Sequence, residues 1–287
     1  MTSDIQSPPA MLRPVGGLRL LTWPALDAAG VTAAVTARDG GVSDGPYATL
    51  NLSLSVGDAP ENVLENRRRL ATALGVSPDN FVFARQVHGA GVRVVGNADR
   101  GSGAYSLDDA IESADALVTA TPGLTLAILT ADCLPVVLHD PVAGVLACVH
   151  AGWRGTVAGA TAAAVAAMQD LGSRPSDVIV GLGPAIAGDR YQVGPDVHEA
   201  VTAAFGTAAA AFLQPDRRPG EVPKGQDRWL LDLSAANRHA LLDAGVPDAQ
   251  IHASAVPTGT GDFFSDRAAR PCGRLALVAR LSQGAAR

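Results

Sequence analysis

Apolar positions along the chain fall into short runs cut by glycine and proline. The runs at 124–129, 135–138 and 145–149 read as buried strands, the last two joined as a hairpin through Asp140-Pro-Val-Ala-Gly144. A strand turns alternate side chains to opposite faces. Leu146, Cys148 and His150 therefore share one face, and Val145, Ala147 and Val149 the other. Ala-Gly-Trp-Arg-Gly follows His150, and the alanine-rich stretch 156–169 reads as a helix that stops at Leu171-Gly172. The middle of the chain is thus strand, glycine turn, helix.

The same pattern places further strands at 31–37, 178–182 and 275–281, and two strand-like runs within 81–95 on either side of Arg85-Gln-Val-His-Gly89. In 60–74, Val63, Leu64, Leu70, Ala71 and Leu74 recur at helical spacing, with Asp58 and Glu61 set as a capping box. Arg67 falls four after Val63 and three before Leu70, which turns one arginine of the Arg67-Arg68-Arg69 run inward. Residues 195–213 and 233–244 read as helices, and 96–109 and 217–228 as polar surface connections.

Composition narrows the class. With 287 residues and 47% apolar content there is ample core for one large domain, assigned to 19–287 and preceded by a mobile N-terminal arm at 1–18. A net charge of -6 argues against a nucleic-acid partner, whose footprint is normally basic. Cys133, Cys148 and Cys272 are too few for a secreted disulfide framework, and no apolar run suits a signal peptide or a membrane span. The expectation is a cytoplasmic protein acting on small molecules.

Candidate chemistry collects at strand ends. Of six histidines, His198, His239 and His252 fall in helical or polar surroundings, and His139 precedes a hairpin turn. His88 and His150 each end a buried run beside a small residue or glycine, where a side chain can enter a cleft. Cys133 ends another, after Thr130-Ala-Asp132. Imidazole and thiolate are the usual zinc donors, and two histidines with one cysteine leave a tetrahedral position open, as in catalytic sites. Cys148, on the His150 face, is the rival ligand; as a fourth donor it would indicate a structural zinc in a non-enzymatic protein. The turn carrying Arg154 suits an anion such as phosphate, at a helix start with free N–H groups. Neither a dinucleotide fingerprint nor a Walker-type phosphate loop occurs.

At Arg38-Asp-Gly-Gly-Val-Ser43, Asn51-Leu52, Asn66-Arg67, Gln86-Val-His-Gly89, Thr130-Ala-Asp-Cys-Leu-Pro135, His150-Ala-Gly-Trp-Arg-Gly155, Gly183-Pro-Ala-Ile186 and Phe263-Phe-Ser265, the chain resembles a known family. Its members are called laccase-domain proteins, polyphenol oxidases, peptidoglycan editing factors or purine nucleoside phosphorylases. The resemblance implies an α/β fold with a mixed β-sandwich core flanked by helices, related to toxin-deamidase catalytic domains. It also implies a catalytic zinc held by His88, Cys133 and His150. Where relatives often carry a cysteine and a tyrosine, this chain has Ala255 and Asp266.

The function so implied is zinc-dependent phosphorolysis of adenosine or inosine, with adenosine deamination as an added activity. Arg38, Asn51 and Arg154 are the substrate-binding candidates, the two arginines for phosphate. Copper-dependent polyphenol oxidation and hydrolytic editing of a peptidoglycan precursor are the enzymatic alternatives. Copper ranks lower, because a laccase-type set needs more histidines than six, of which at least three look peripheral, and a blue-copper centre often wants an axial Met.

Overall fold

A computed structural model describes residues 10–221 and 227–282. Its strands are β1 (Met11–Val15), β2 (Leu18–Thr22), β3 (Val31–Thr36), β4 (Phe81–Phe83), β5 (Val92–Val94), β6 (Ala116–Thr119), β7 (Thr125–Thr130) and β8 (Leu134–Asp140). They continue with β9 (Val145–Ala151), β10 (Ile179–Leu182), β11 (Gln192–Val193), β12 (Leu213–Pro215), β13 (Trp229–Leu231), β14 (Ile251–Ala253) and β15 (Leu275–Leu281). The helices are α1 (Pro24–Ala28), α2 (Pro60–Leu74), α3 (Trp153–Val157), α4 (Ala160–Asp170), α5 (Pro195–Phe205) and α6 (Leu233–Asp243).

Two six-stranded mixed sheets, ordered β1-β2-β3-β15-β7-β4 and β14-β10-β8-β9-β6-β5, form the sandwich, and β11-β13-β12 make a small third sheet. Period-two alternation builds the layers. From β15, Leu275, Leu277 and Ala279 enter the core between the sheets, while Ala276 and Val278 pack on the outer face with Leu70 and Ala71 of α2. From β9, Leu146 and Cys148 face the sandwich interior, and Val145, Ala147 and Val149 face α4, α5 and α6. Each fully buried Leu or Val contributes about 2 kcal/mol of apolar burial. The mixed sandwich flanked by helices is the architecture the motifs implied.

Several local expectations are corrected. Residues 11–15, assigned to the arm, pair antiparallel with β2, and 1–9 lie outside the described residues. Asp58 does not cap α2, whose cap position is Ala59. Its carboxylate is already taken by the Ser43 hydroxyl at 2.6 Å and the Asn51 amide at 2.8 Å. The expected helix at 156–169 is two helices, because Gly159 adopts a left-handed φ of 80° between α3 and α4. The one at 195–213 ends at Phe205, where Gly206 takes φ 56°. His139 is no turn residue: it is buried within β8, beside the Val145 carbonyl. In the 217–228 connection, 222–226 lie outside the described residues. Among the described residues no helix is long and apolar enough to cross a membrane.

Arg67 does turn inward. Its guanidinium donates to the carbonyls of Leu52, Gly103 and Ala104 and lies 3.9 Å from the centroid of the Phe83 ring. Burial pulls its pKa down to about 10, so it stays charged at neutral pH. Arg67→Met is expected to leave three carbonyls without that partner and to lower unfolding stability by about 3 kcal/mol, read by urea denaturation.

Candidate metal centre and its cleft

His88 lies on the turn between β4 and β5 with φ 59°, a conformation rare for a residue with a Cβ. The turn is held from below by the buried carboxylate of Asp115, just ahead of β6. It accepts the backbone N–H groups of Val87 at 3.2 Å, His88 at 2.9 Å and Gly89 at 2.7 Å. Gln86 secures the same turn, its amide donating to the Leu129 carbonyl and accepting from the Leu129 N–H, both at 2.8 Å.

His150 sits near the end of β9, on the sandwich face that Leu146 and Cys148 share. Its Nδ1 lies 2.8 Å from Asp115 Oδ1. Burial alone would raise the Asp115 pKa, but His150 and the N–H groups of the turn outweigh it and hold the carboxyl below its ordinary value. The ionised carboxylate can only accept, so Nδ1 carries the proton and Nε2 is left as the donor toward a metal.

Cys133 enters from the connection between β7 and β8, immediately after Asp132, which has φ 84°. The donor atoms of His88, Cys133 and His150 all lie within 4.8 Å of one another, and the imidazole centroids are 4.8 Å apart at 77°. Burial pushes the Cys133 thiol up, but the two histidines reverse this and bring it down to about 6. Burial likewise pulls His150 down, and Asp115 with Cys133 raises it to about 9. A thiolate beside two imidazoles, one with its tautomer fixed by a carboxylate, is a donor set that fits zinc. Cys148 is not in this group: it is fully buried in the sandwich core, where burial pushes its thiol up.

Gly152 makes the approach possible. A Cβ there would stand 2.9 Å from Cys133 Sγ and 3.3 Å from the His88 ring, inside the space the ligands occupy. The donors open into a cleft of about 990 Å³ that includes Trp153, Arg154, Tyr191 and Arg267 in its lining.

Arg154 thus lies where the glycine turn implied, whereas two other candidates do not line the cleft. Arg38 donates twice to the Ala48 carbonyl and stacks 4.8 Å from the Phe264 centroid. Asn51 is fully buried and bonds to Ser53, Asp58 and the Arg274 N–H. Reading the sequence missed Asp115, Asp132, Tyr191 and Arg267. The first two carried a weak signal, acids directly beside buried runs, and the last two none.

The geometry brings together three side chains that could hold a metal ion, at the edge of a two-sheet sandwich. The chain belongs to the family described as multi-copper polyphenol oxidoreductase laccase, which matches residues 32–282. It is 44% identical over 252 residues to the purine nucleoside phosphorylase of Deinococcus radiodurans, across 88% of each chain. It is 42% identical over 247 residues to purine nucleoside phosphorylase ORF3 of Streptomyces griseus, across 85% of this chain and 91% of that one. The crystal structure of YlmD from Geobacillus stearothermophilus superposes with a TM-score of 0.85 at 35% identity, covering 96% of this chain and 100% of that one. That of Bacillus licheniformis hypothetical protein YfiH does so at 0.86 and 32%, covering 94% and 99%.

The copper alternative gains no support from the residues. His139 is buried beside β9, His198 stacks on Trp229 at 4.2 Å, His239 pairs with Asp243 and His252 lies in β14, so none joins the donor group.

Two outcomes are expected. Cys133→Ala should lose most bound metal by elemental analysis, whereas Cys148→Ala should keep it and lose about 1 kcal/mol of stability. Gly152→Ala should weaken metal affinity at least about tenfold in a chelator competition, with the apo protein still folded by circular dichroism.

Proposed function

We propose that the protein is a zinc-dependent purine nucleoside phosphorylase acting on adenosine and inosine, with adenosine deamination as a second activity in the same cleft. The observation that carries the reading is the open donor set of His88, Cys133 and His150 beside the exposed Arg154. The names of the relatives point to the same reaction. A three-ligand set with, among the described residues, no fourth side chain in the group suits a reactive centre better than a structural one.

A zinc ion held by these three side chains would supply a Lewis acid with an open position. Asp115 keeps the His150 tautomer and the His88 turn in place while substrate binds. Arg154 lies over Trp153, its Cζ 4.4 Å from the ring centroid, which leaves guanidinium N–H groups to hold phosphate. A phosphate oxygen then bonds to C1′ of the ribose as the C1′–N9 bond breaks, and the proton of hydrogen phosphate passes to the departing purine. For deamination, water replaces the 6-amino group, which departs as ammonia. The reading includes a cytoplasmic compartment, in keeping with three free thiols.

Incubation of zinc-defined protein with inosine and phosphate should release hypoxanthine and ribose 1-phosphate only when phosphate is present, followed by chromatography. Arg154→Ala should raise the phosphate KM at least about tenfold with zinc content unchanged. Absence of base release from the zinc-loaded wild type would refute the reading.

A further inference from the structure

Five arginines line the cleft, and the carboxylates around it do not serve them equally. Arg85 pairs with Glu112 at 3.4 Å, and Arg270 and Arg274 share Asp266. Among the described residues, no carboxylate pairs with Arg154 or Arg267. Each lies instead over an aromatic ring, Arg154 on Trp153 at 4.4 Å and Arg267 on Tyr191 at 5.1 Å. Stacking on a ring orients a guanidinium without neutralising it; Arg267 Nη1 also donates to the Gln192 carbonyl at 3.0 Å, which leaves its remaining N–H groups for an oxyanion. The two cations and both rings line the same cleft as His88, Cys133 and His150.

One carboxylate holds the Arg267 backbone. Asp132, nine-tenths buried, accepts the Arg267 backbone N–H at 2.6 Å and the Thr258 hydroxyl. Its own carbonyl accepts from Ile186 N–H at 3.0 Å, and Thr258 N–H donates to Ala185 O at 2.9 Å. The left-handed residue just before Cys133 thus ties the 258–267 segment to the donor corner.

Resting on the phosphorolysis reading, we infer that Arg154 and Arg267 form a two-arginine subsite for free inorganic phosphate beside the donor set, and that Asp132 is the positioning residue that sets Arg267 in it. Phosphate bridged between two forks is held by charge-assisted hydrogen bonds, and loss of either fork removes a large share of its affinity.

The test is calorimetric titration of zinc-loaded protein with inorganic phosphate, and separately with adenosine 5′-monophosphate, which reads binding without turnover, beside the inosine KM wherever turnover occurs. Arg267→Ala should weaken phosphate binding at least about tenfold and Arg267→Lys by less, both with zinc content and inosine KM unchanged. Asp132→Asn should weaken phosphate several-fold while zinc content and inosine KM hold. Unchanged phosphate affinity in Arg267→Ala would overturn the inference, as would a loss confined to the nucleotide. So would an Asp132→Asn variant that loses zinc, inosine and phosphate together, the mark of a merely structural role. Phosphate binding that needs Arg267 in a protein with no phosphorolysis would uphold the subsite and remove the reading it rests on. Phosphorolysis with unaltered phosphate binding in the variant would do the reverse.

Discussion

One buried carboxylate, Asp115, governs the site. An ionised carboxylate out of water must be surrounded by donors, and here it meets three backbone N–H groups and the His150 imidazole. The three N–H groups hold the turn on which His88 takes its left-handed conformation. The fourth bond selects the His150 tautomer. A residue that touches no metal therefore aims two of the three donors, and its backbone carbonyl also accepts the His150 N–H at 2.7 Å.

Asp132 plays the matching part on the opposite wall. It precedes Cys133, and its carboxylate gathers Thr258 and Arg267 from segments more than a hundred residues away. The donor set thus stands where two walls meet, His88 and His150 from the first and Cys133 from the second. Gly152 is the clearance between them, since any Cβ there would displace the sulfur or the ring. Gly155 does the same for the turn, where a Cβ would stand 2.9 Å from the Gly89 carbonyl.

The sandwich supplies the rigidity these contacts need. β9 is central because both its faces are buried, one against the other sheet and one against the helices. Its period-two alternation separates Cys148 from His150 by two residues along one face. The first is sealed in the core, and the second lies where the core gives way to the cleft. Burial thus raises the pKa of the Cys148 thiol, whereas at Cys133 the two histidines outweigh burial and lower it.

Local pattern indicated the strands β3, β4, β5, β7 to β10 and β15, the long helix at α2 and the inward turn of Arg67, and offered His88, Cys133 and His150 as candidate donors with Cys148 as rival, because alternation, helical spacing and strand-end position are properties of neighbouring residues. Tertiary structure decided everything that depends on which distant group arrives first. Asp58 reads as a helix cap, yet Ser43 and Asn51 claim its carboxylate. Arg38 and Asn51 read as substrate contacts, yet the Ala48 carbonyl and the Arg274 N–H absorb them. Arg267 carries no local signal, and long-range contacts, those to Asp132 and the Gln192 carbonyl among them, bring its segment to the cleft wall. Sequence spacing records which donors and acceptors exist, whereas long-range packing determines their partners, because a buried polar group must bond to whatever the fold brings within reach.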